Sequence, residues 1–331
     1  MSTNINPIKK VLVMRFSSIG DIVLTTPIIR SLFNKNAYDV HYLVKKQFAD
    51  ILIANPYISK VHTFDKDPQE ILESLKKESY DHILDLQKNI RSKRVLAKLS
   101  RPYSTFPKLN VQKWIFVNLK VNRMPDLHIV DRYFKAGEEL QLQNDLKGLD
   151  YFIPSDDRVS LTKYNLEKEN YIVVGIGAAH KTKCLPIHKV KELLLRLSGQ
   201  IVLIGGPKER ELGGMLVSEN VINLAGSLNL NQSASIIEQS KLVVCPDTGI
   251  MHIAAAFKKV IISIWGNTVP DFGMYPYYGN NKVPQFFSEV KDLSCRPCSK
   301  IGFDNCPKGH FNCMNNQNFD EFIPFLHDEY A

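Results

Sequence analysis

Asp21 ends the run Arg15-Phe16-Ser17-Ser18-Ile19-Gly20-Asp21, which directly follows a short apolar stretch, Val11–Met14. Gly20 lets a ligand approach the backbone closely. A carboxylate here has two uses. It can cap and charge the first turn of a following helix, or it can take a proton from a hydroxyl presented at the end of the preceding strand. The run is neither GxxxxGK[ST] nor GxGxxG, so it does not spell a phosphate cradle. Ser18 and Gly20 flank the acid and belong with whatever brings that hydroxyl.

Three further junctions carry chemistry in the second half of the chain. Asp247-Thr248-Gly249-Ile250-Met251-His252 follows the apolar run Leu242–Cys245. A threonine hydroxyl and helix-start amides there suit an anion, and His252 is close enough in sequence to reach the same ligand. Gly175-Ile176-Gly177-Ala178-Ala179-His180-Lys181-Thr182-Lys183 combines glycines with lysines, which suits a diphosphate met by a point charge. Gly205-Gly206-Pro207-Lys208-Glu209 offers an acid for sugar hydroxyls or for a helix start.

The elements that must hold these residues alternate. Val11–Met14, Val40–Val44, Lys60–Phe64 and His82–Leu86 read as strands. A helix runs from about Asp21 to Phe33, with another over Pro68–Lys77 and a long one over His128–Leu142. After a polar stretch, Gln143–Asn170, the pattern restarts. Strands are expected at Tyr171–Val174, Ile201–Ile204, Leu242–Cys245 and Val260–Trp265. Helices are expected at Pro186–Leu197, Lys208–Ser218, Asn231–Gln239 and Ile250–Phe257, with a short one at Phe319–His327. Strands alternating with helices imply parallel sheets covered on both faces, and ligands at the carboxyl ends of the strands. The expected organisation is an α/β chain of two doubly wound, Rossmann-like domains, residues 1–150 and 171–331, joined by a linker at 151–170.

The chain has 331 residues, of which 44% are hydrophobic and 23% charged, the profile of a soluble protein large enough for two cores. No apolar run approaches the ~18–20 residues that span a bilayer. The basic start of the chain lacks the h-region and cleavage site of a signal peptide, so a cytoplasmic location is expected. Net charge is +8. From Leu86 to Pro125 there is no acid, but Lys88, Arg91, Lys93, Arg94, Lys98, Arg101, Lys108, Lys113, Lys120 and Arg123. Such a stretch draws phosphates, anionic headgroups or nucleic acid. No helix-turn-helix, finger or aromatic-interleaved motif accompanies it, which argues against nucleic acid. Trp114, Ile115 and Phe116 interrupt the charge and are expected in a core rather than at a membrane. Cys295, Cys298, Cys306 and Cys313 crowd one segment with His310. Four thiolates suit a structural zinc, although the spacing is not that of a zinc ribbon.

Arg15–Leu32, Asp85–Ser92, Gly177–Pro186, Pro246–Ala256 and the Cys295–Met314 segment together resemble glycosyltransferase family 9, which contains the ADP-heptose lipopolysaccharide heptosyltransferases. The resemblance runs in order through nearly the whole chain. It implies a GT-B fold, two facing domains with a central cleft, the acceptor on the first and the nucleotide sugar on the second. It implies an inverting transfer that uses neither metal nor cofactor. Asp21 then matches the base that deprotonates the acceptor, with Ser18, Gly20, Lys88 and Arg91 on the acceptor side. Lys183 matches the lysine at the donor phosphate, Glu209 the acid near the nucleotide ribose, and Asp247, Thr248, Gly249 and His252 the donor loop. Ala178 and Ala179 stand where many members carry hydroxyl residues. The partners implied are a nucleotide-sugar donor and a phosphorylated, lipid-linked glycan acceptor at the cytoplasmic face of an anionic inner membrane. A different nucleotide sugar, or epimerisation of one, fits the same fold. A nucleic-acid-binding protein built on the basic stretch is the non-enzymatic alternative.

Overall fold

The computed structural model describes residues 9–35 and 38–330. The chain divides into two compact units, Met1–Lys108 with Ile129–Pro154, and Leu109–His128 with Ser155–Ala331.

In the first unit β1 (Lys9–Met14), α1 (Ile19–Val23), α2 (Thr26–Asn34), β2 (Tyr38–Lys45), β3 (Lys60–Phe64), α3 (Leu72–Lys77), β4 (His82–Asp85), α4 (Ile90–Leu99) and β5 (Tyr103–Thr105) follow in order. α5 (Asn110–Leu119) then belongs to the second unit, and α6 (Ile129–Ala136) returns to the first. The sheet order is β3-β2-β1-β4-β5, and every pairing is parallel. Val11–Met14 are wholly buried in succession because both faces of a parallel sheet are covered. Leu12, Met14, Phe16 and Leu43 pack with Leu72, Leu75, Val95 and Leu96 from α3 and α4.

The expected single helix from Asp21 is two helices. Pro27 has no N–H to give to the Val23 carbonyl, and the Thr26 hydroxyl takes that carbonyl instead at 2.8 Å. Thr25 does the same for Ile22 at 2.7 Å. Similarly, Pro68–Ile71 forms a 3₁₀ turn before α3, and Gly137 ends α6 before a 3₁₀ turn at Glu138–Leu140. Buried Arg30 on α2 grips Asp145 with two hydrogen bonds of 2.8 Å, pairs with Asp150 and donates to the Gly148 carbonyl at 2.9 Å. The polar stretch after α6 is thereby fastened to the first unit.

Across the lower half of this sheet, His41 Nδ1, His62 Nε2 and the Tyr80 hydroxyl lie 3.0–3.2 Å from one another. His41, His62 and Glu78 are the one group of three possible ligand atoms within 4.8 Å of each other among the described residues. Glu78 is already neutralised by Lys10 at 2.8 Å and Lys60 at 2.5 Å, which pull its carboxyl down to about 2. A cation added beside two ammonium groups is repelled, so the cluster is polar core. Burial, then the charge of its neighbours His41 and Lys60, pushes the His62 pKa down to about 4, and burial lowers that of His41 as well. Both rings are neutral in the fold and take up protons on unfolding. Stability therefore falls as pH drops from about 6.5 toward 4, by up to ~3 kcal/mol for His62. Unfolding at pH 7 and pH 4.5 should show this loss, and His62→Gln should shrink it. An equal loss in the variant would exclude His62 as its source.

The second unit comprises β6 (Tyr171–Gly175), α7 (Ile187–Arg196), β7 (Gln200–Ile204), α8 (Arg210–Gly214), β8 (Val221–Asn223), α9 (Leu230–Gln239), β9 (Leu242–Pro246), α10 (Gly249–Ala256), β10 (Val260–Trp265), β11 (Gln285–Glu289), α11 (Asn312–Asn315) and α12 (Ile323–Tyr330). The parallel sheet runs β11-β10-β9-β6-β7-β8. That is the Rossmann order, with its switch point between the first and fourth strands of the unit, β6 and β9.

Two parts of the expected organisation differ. Residues 109–128 group with the second unit and not with the first. Residues 155–170 are part of the second unit and not a free linker. Asp157 accepts from Asn229 and Asn231 at 2.7 and 3.0 Å, and the Val159 N–H donates to Ser235 Oγ at 3.0 Å, which fastens this stretch to α9.

Candidate functional site

Each sheet carries its candidate residues at its own switch point, where two neighbouring strands send their connections in opposite directions and leave a crevice. In the first unit these are the loops after β1 and β4. Asp21 is the third residue of α1, and Ser18 precedes that helix. The Ser18 N–H and hydroxyl donate to Asp21 Oδ2 at 3.2 and 2.8 Å. Arg15 Nη2 pairs with Asp21 Oδ1 at 2.7 Å. Arg15 is itself fixed, with Nε donating to the Ser17 carbonyl at 2.8 Å and Nη1 to the Leu86 carbonyl at 2.7 Å. Burial opposes the Arg15 charge, but Asp21 and other neighbours more than offset it and hold the guanidinium above its usual range. The helix-cap use and the proton-acceptor use of Asp21 are thus compatible. One oxygen is held by Ser18 and the other by Arg15, so the carboxylate has a fixed direction. Gly20 is buried within α1.

The β4 loop joins this arrangement through Gln87, whose Oε1 accepts from the Phe16 N–H at 2.8 Å. Asp85 is buried and accepts from the Gln87 and Lys88 N–H groups at 3.0 and 2.8 Å and from Ser92 Oγ at 2.8 Å. Burial still raises its pKa. The Lys88 ammonium donates to the Phe106 carbonyl at 2.8 Å, so part of its capacity is spent inside the protein. Arg91 lies in the first turn of α4, partly exposed, with one contact of 3.3 Å to the Lys66 carbonyl. Of the two, Arg91 is the better placed for an anion from outside.

In the second unit the loops after β6 and β9 meet. Lys183 Nζ lies 2.6 Å from Asp247 Oδ2, with both side chains largely covered. The Thr268 hydroxyl donates to that same oxygen at 2.8 Å. Thr248 is the N-cap of α10, yet its side chain makes no cap hydrogen bond, and its Oγ1 is buried with no partner in the structure. Such an orphaned hydroxyl costs about 1–3 kcal/mol unless something binds it. The first amides of α10, beginning at Gly249, have no preceding turn to bond to. His252 is buried, one turn into that helix. Glu209 Oε2 accepts from the Gly206 N–H at 2.8 Å, and its carboxyl lies so close to Gly177 that a Cβ there would stand 2.8 Å from it. A side chain at position 177 would have to displace the Glu209 carboxyl.

Two supports were not singled out from the sequence. Arg296 donates to the carbonyls of Gly266 at 2.6 Å, Thr268 at 3.0 Å and Val290 at 2.9 Å, and pairs with Glu289 at 2.7 Å. It thereby fixes the loop whose Thr268 holds Asp247. The Thr182 N–H and hydroxyl bond to the Phe303 backbone at 2.8–3.1 Å, so the cysteine-rich segment braces the turn that carries Lys183. Nothing in the spacing marked Thr268 or Arg296.

The cysteine segment itself gathers no such ligand group among the described residues. Cys295 Sγ lies 3.8 Å from His310 Nε2, and Cys298 Sγ donates to the Cys295 carbonyl at 2.9 Å. Burial pushes the Cys298 thiol up to about 11 and that of Cys313 up to about 12. All six cysteines are free thiols. The geometry supports a bracing role for this segment.

The family model described as glycosyltransferase family 9 (heptosyltransferase) matches residues 69–301, which include every donor-side residue, with Lys88 and Arg91, while Asp21 precedes the match. Lipopolysaccharide heptosyltransferase 1 of Campylobacter coli is 24% identical over 292 residues, spanning 78% of this chain and 84% of its own length. Lipopolysaccharide heptosyltransferase 1 of Pseudomonas aeruginosa is 26% identical over 321 residues, spanning 88% and 86%. Among solved structures, the family 9 glycosyl transferase of Veillonella parvula aligns with a TM-score of 0.69 at 21% identity, over 86% of this chain and 87% of that one. The ADP-heptose lipopolysaccharide heptosyltransferase II of Escherichia coli aligns at 0.68 and 20% identity, over 97% and 100%. The shared fold is the GT-B class, built of two Rossmann-like parallel-sheet units.

Proposed function

The chain belongs to glycosyltransferase family 9, and from that premise we propose that it transfers a heptose from ADP-heptose to a lipopolysaccharide core, with inversion at the anomeric carbon. The relatives named as lipopolysaccharide heptosyltransferases support this substrate pair, as does a structural neighbour described as an Escherichia coli heptosyltransferase with ADP. The observation that carries the reading is the cluster at the β6–β9 switch point. Lys183, held by Asp247, the orphaned Thr248 hydroxyl and the first amides of α10 together offer positive charge and donors to a diphosphate.

In this reading the second unit binds the donor. Asp247 acts through Lys183, because a carboxylate facing a diphosphate directly would repel it. Glu209 receives ribose hydroxyls, and His252 supports the helix start. The first unit binds the acceptor, with Arg91 and Lys88 near its phosphates. Asp21 removes the acceptor hydroxyl proton as that oxygen bonds to the anomeric carbon. The bond from that carbon to the phosphate oxygen breaks, and ADP leaves with its new charge facing Lys183 and α10. No step is assigned to a metal. In this reading the acceptor is lipid-linked and the reaction runs at the cytoplasmic face of the inner membrane; among the described residues no helix is long and apolar enough to cross one. The test is turnover on a panel of ADP-, UDP- and GDP-sugars with deacylated lipopolysaccharide core as acceptor.

A further inference from the structure

Helix α5 departs from the rule that a helix buries its apolar side. Six of its ten residues are apolar, Val111, Trp114, Ile115, Phe116, Val117 and Leu119, yet none of the ten is buried. Val111 is 68% exposed, Trp114 58%, Leu119 59%, and Val121 just beyond the helix 47%. The expectation that Trp114 and its neighbours lie in a core therefore does not hold for Trp114. The inner side of the helix is anchored within the second unit. Phe116 meets Phe272 edge-on with ring centres 5.8 Å apart, and Lys120 Nζ donates to the carbonyls of Cys295 and Pro297 at 2.9 and 2.7 Å. What remains outward is an aliphatic and indole surface.

The helix and the residues just beyond it carry charge of one sign. Residues 109–125 contain Lys113, Lys120 and Arg123 and no acid. Of the acids beneath the helix, Glu289 is paired with Arg296 at 2.7 Å, Asp271 accepts from the neutral Asn122 amide at 2.6 Å, and Asp292 is exposed. A second copy of the same helix would bring like charges together. Nucleic acid would answer the lysines but leave the valine and leucine side chains in water. A bilayer with anionic headgroups answers both, since acyl chains take aliphatic side chains, the interfacial zone takes indole, and headgroups take the cations.

We infer that α5, through Val111, Trp114, Leu119 and Val121 with the flanking Lys113 and Arg123, docks the protein on an anionic membrane surface. This deepens the reading given under Proposed function, because it specifies how a protein acting on a lipid-linked acceptor reaches it. Its vesicle-binding test needs no donor, so the two can fail separately. Trp114 is a built-in probe, since Trp265 is 1% exposed and shielded from solvent in either state. Adding vesicles of 7:3 phosphatidylcholine and phosphatidylglycerol should shift tryptophan emission to the blue, and pure phosphatidylcholine should shift it far less. In sedimentation, Trp114→Ala with Leu119→Ser should lower the affinity for anionic vesicles about tenfold or more. The same variant should keep the wild-type turnover on the water-soluble, deacylated acceptor. The inference is overturned if the wild-type protein does not sediment with anionic vesicles, or if the double variant sediments equally well. It is also overturned if the emission shift is produced by the deacylated acceptor alone, which would make α5 a glycan contact.

Discussion

Asp21→Asn should lose about 10²–10⁴-fold in kcat while leaving the KM for the nucleotide sugar near its wild-type value. The substitution keeps the size of the side chain and an oxygen for Ser18, whose N–H and hydroxyl now donate to Asp21 Oδ2 at 3.2 and 2.8 Å. It removes the capacity to accept a proton, and it removes the partner charge of Arg15, which sits 2.7 Å from Oδ1. A helix-cap role alone gives a different result, since losing a cap costs about 0.5–2 kcal/mol of stability with little change in chemistry. Thermal unfolding and steady-state kinetics on the same preparation separate the two. A variant that turns over within a few fold of wild type would remove Asp21 from the reaction. Arg15→Lys offers a graded companion, because a lysine keeps the charge but not the forked geometry that fixes the carboxylate.

Lys183→Ala should lower kcat/KM for the donor by about 10²–10³-fold and weaken ADP binding measured by calorimetry. Two effects act together. The ammonium is lost from the diphosphate, and the Asp247 carboxylate, now paired by Lys183 at 2.6 Å, is left facing the same ligand. Asp247→Asn should be milder than Lys183→Ala, because it frees the lysine without exposing a negative charge. That order of severity is what the geometry specifies. Were Lys183→Ala to bind ADP as tightly as the wild type, the lysine would be an ion-pair partner of Asp247 and nothing more.

The strands that build the switch points were legible because parallel strands covered on both faces must be apolar throughout, as Val11–Met14 and Leu242–Pro246 are. The edge strands β5 and β11 were not, since each is short and only partly buried and neither stands out as an apolar run. The helix from Asp21 was legible as a periodicity, but its break at Thr25 depends on hydroxyls satisfying carbonyls, which periodicity does not record. α5 escaped because its apolar residues lie on every side and form no stripe. Residues 155–170 looked like a linker because their anchoring is polar, through Asp157 and Val159. At the candidate site, residue types at strand ends pointed to Asp21, Lys183, Thr248 and Glu209. The pairings that orient them were invisible. Lys183 with Asp247 joins positions 64 apart, and Thr268 reaches Asp247 from 21 away. The same holds for Arg15, whose role appears only once Leu86 and Asp21 are seen on either side of it.

The heptose transfer from ADP-heptose to a lipopolysaccharide core that we propose for this chain is read out by the donor panel with a deacylated core acceptor. Nucleoside diphosphate release and the mass of the acceptor are followed together. ADP should be released from ADP-heptose in step with an acceptor gaining the mass of one heptosyl residue, and UDP- and GDP-sugars should turn over far more slowly. Acceptor extension from a UDP- or GDP-sugar at the faster rate, or ADP release with no gain in acceptor mass, would contradict it.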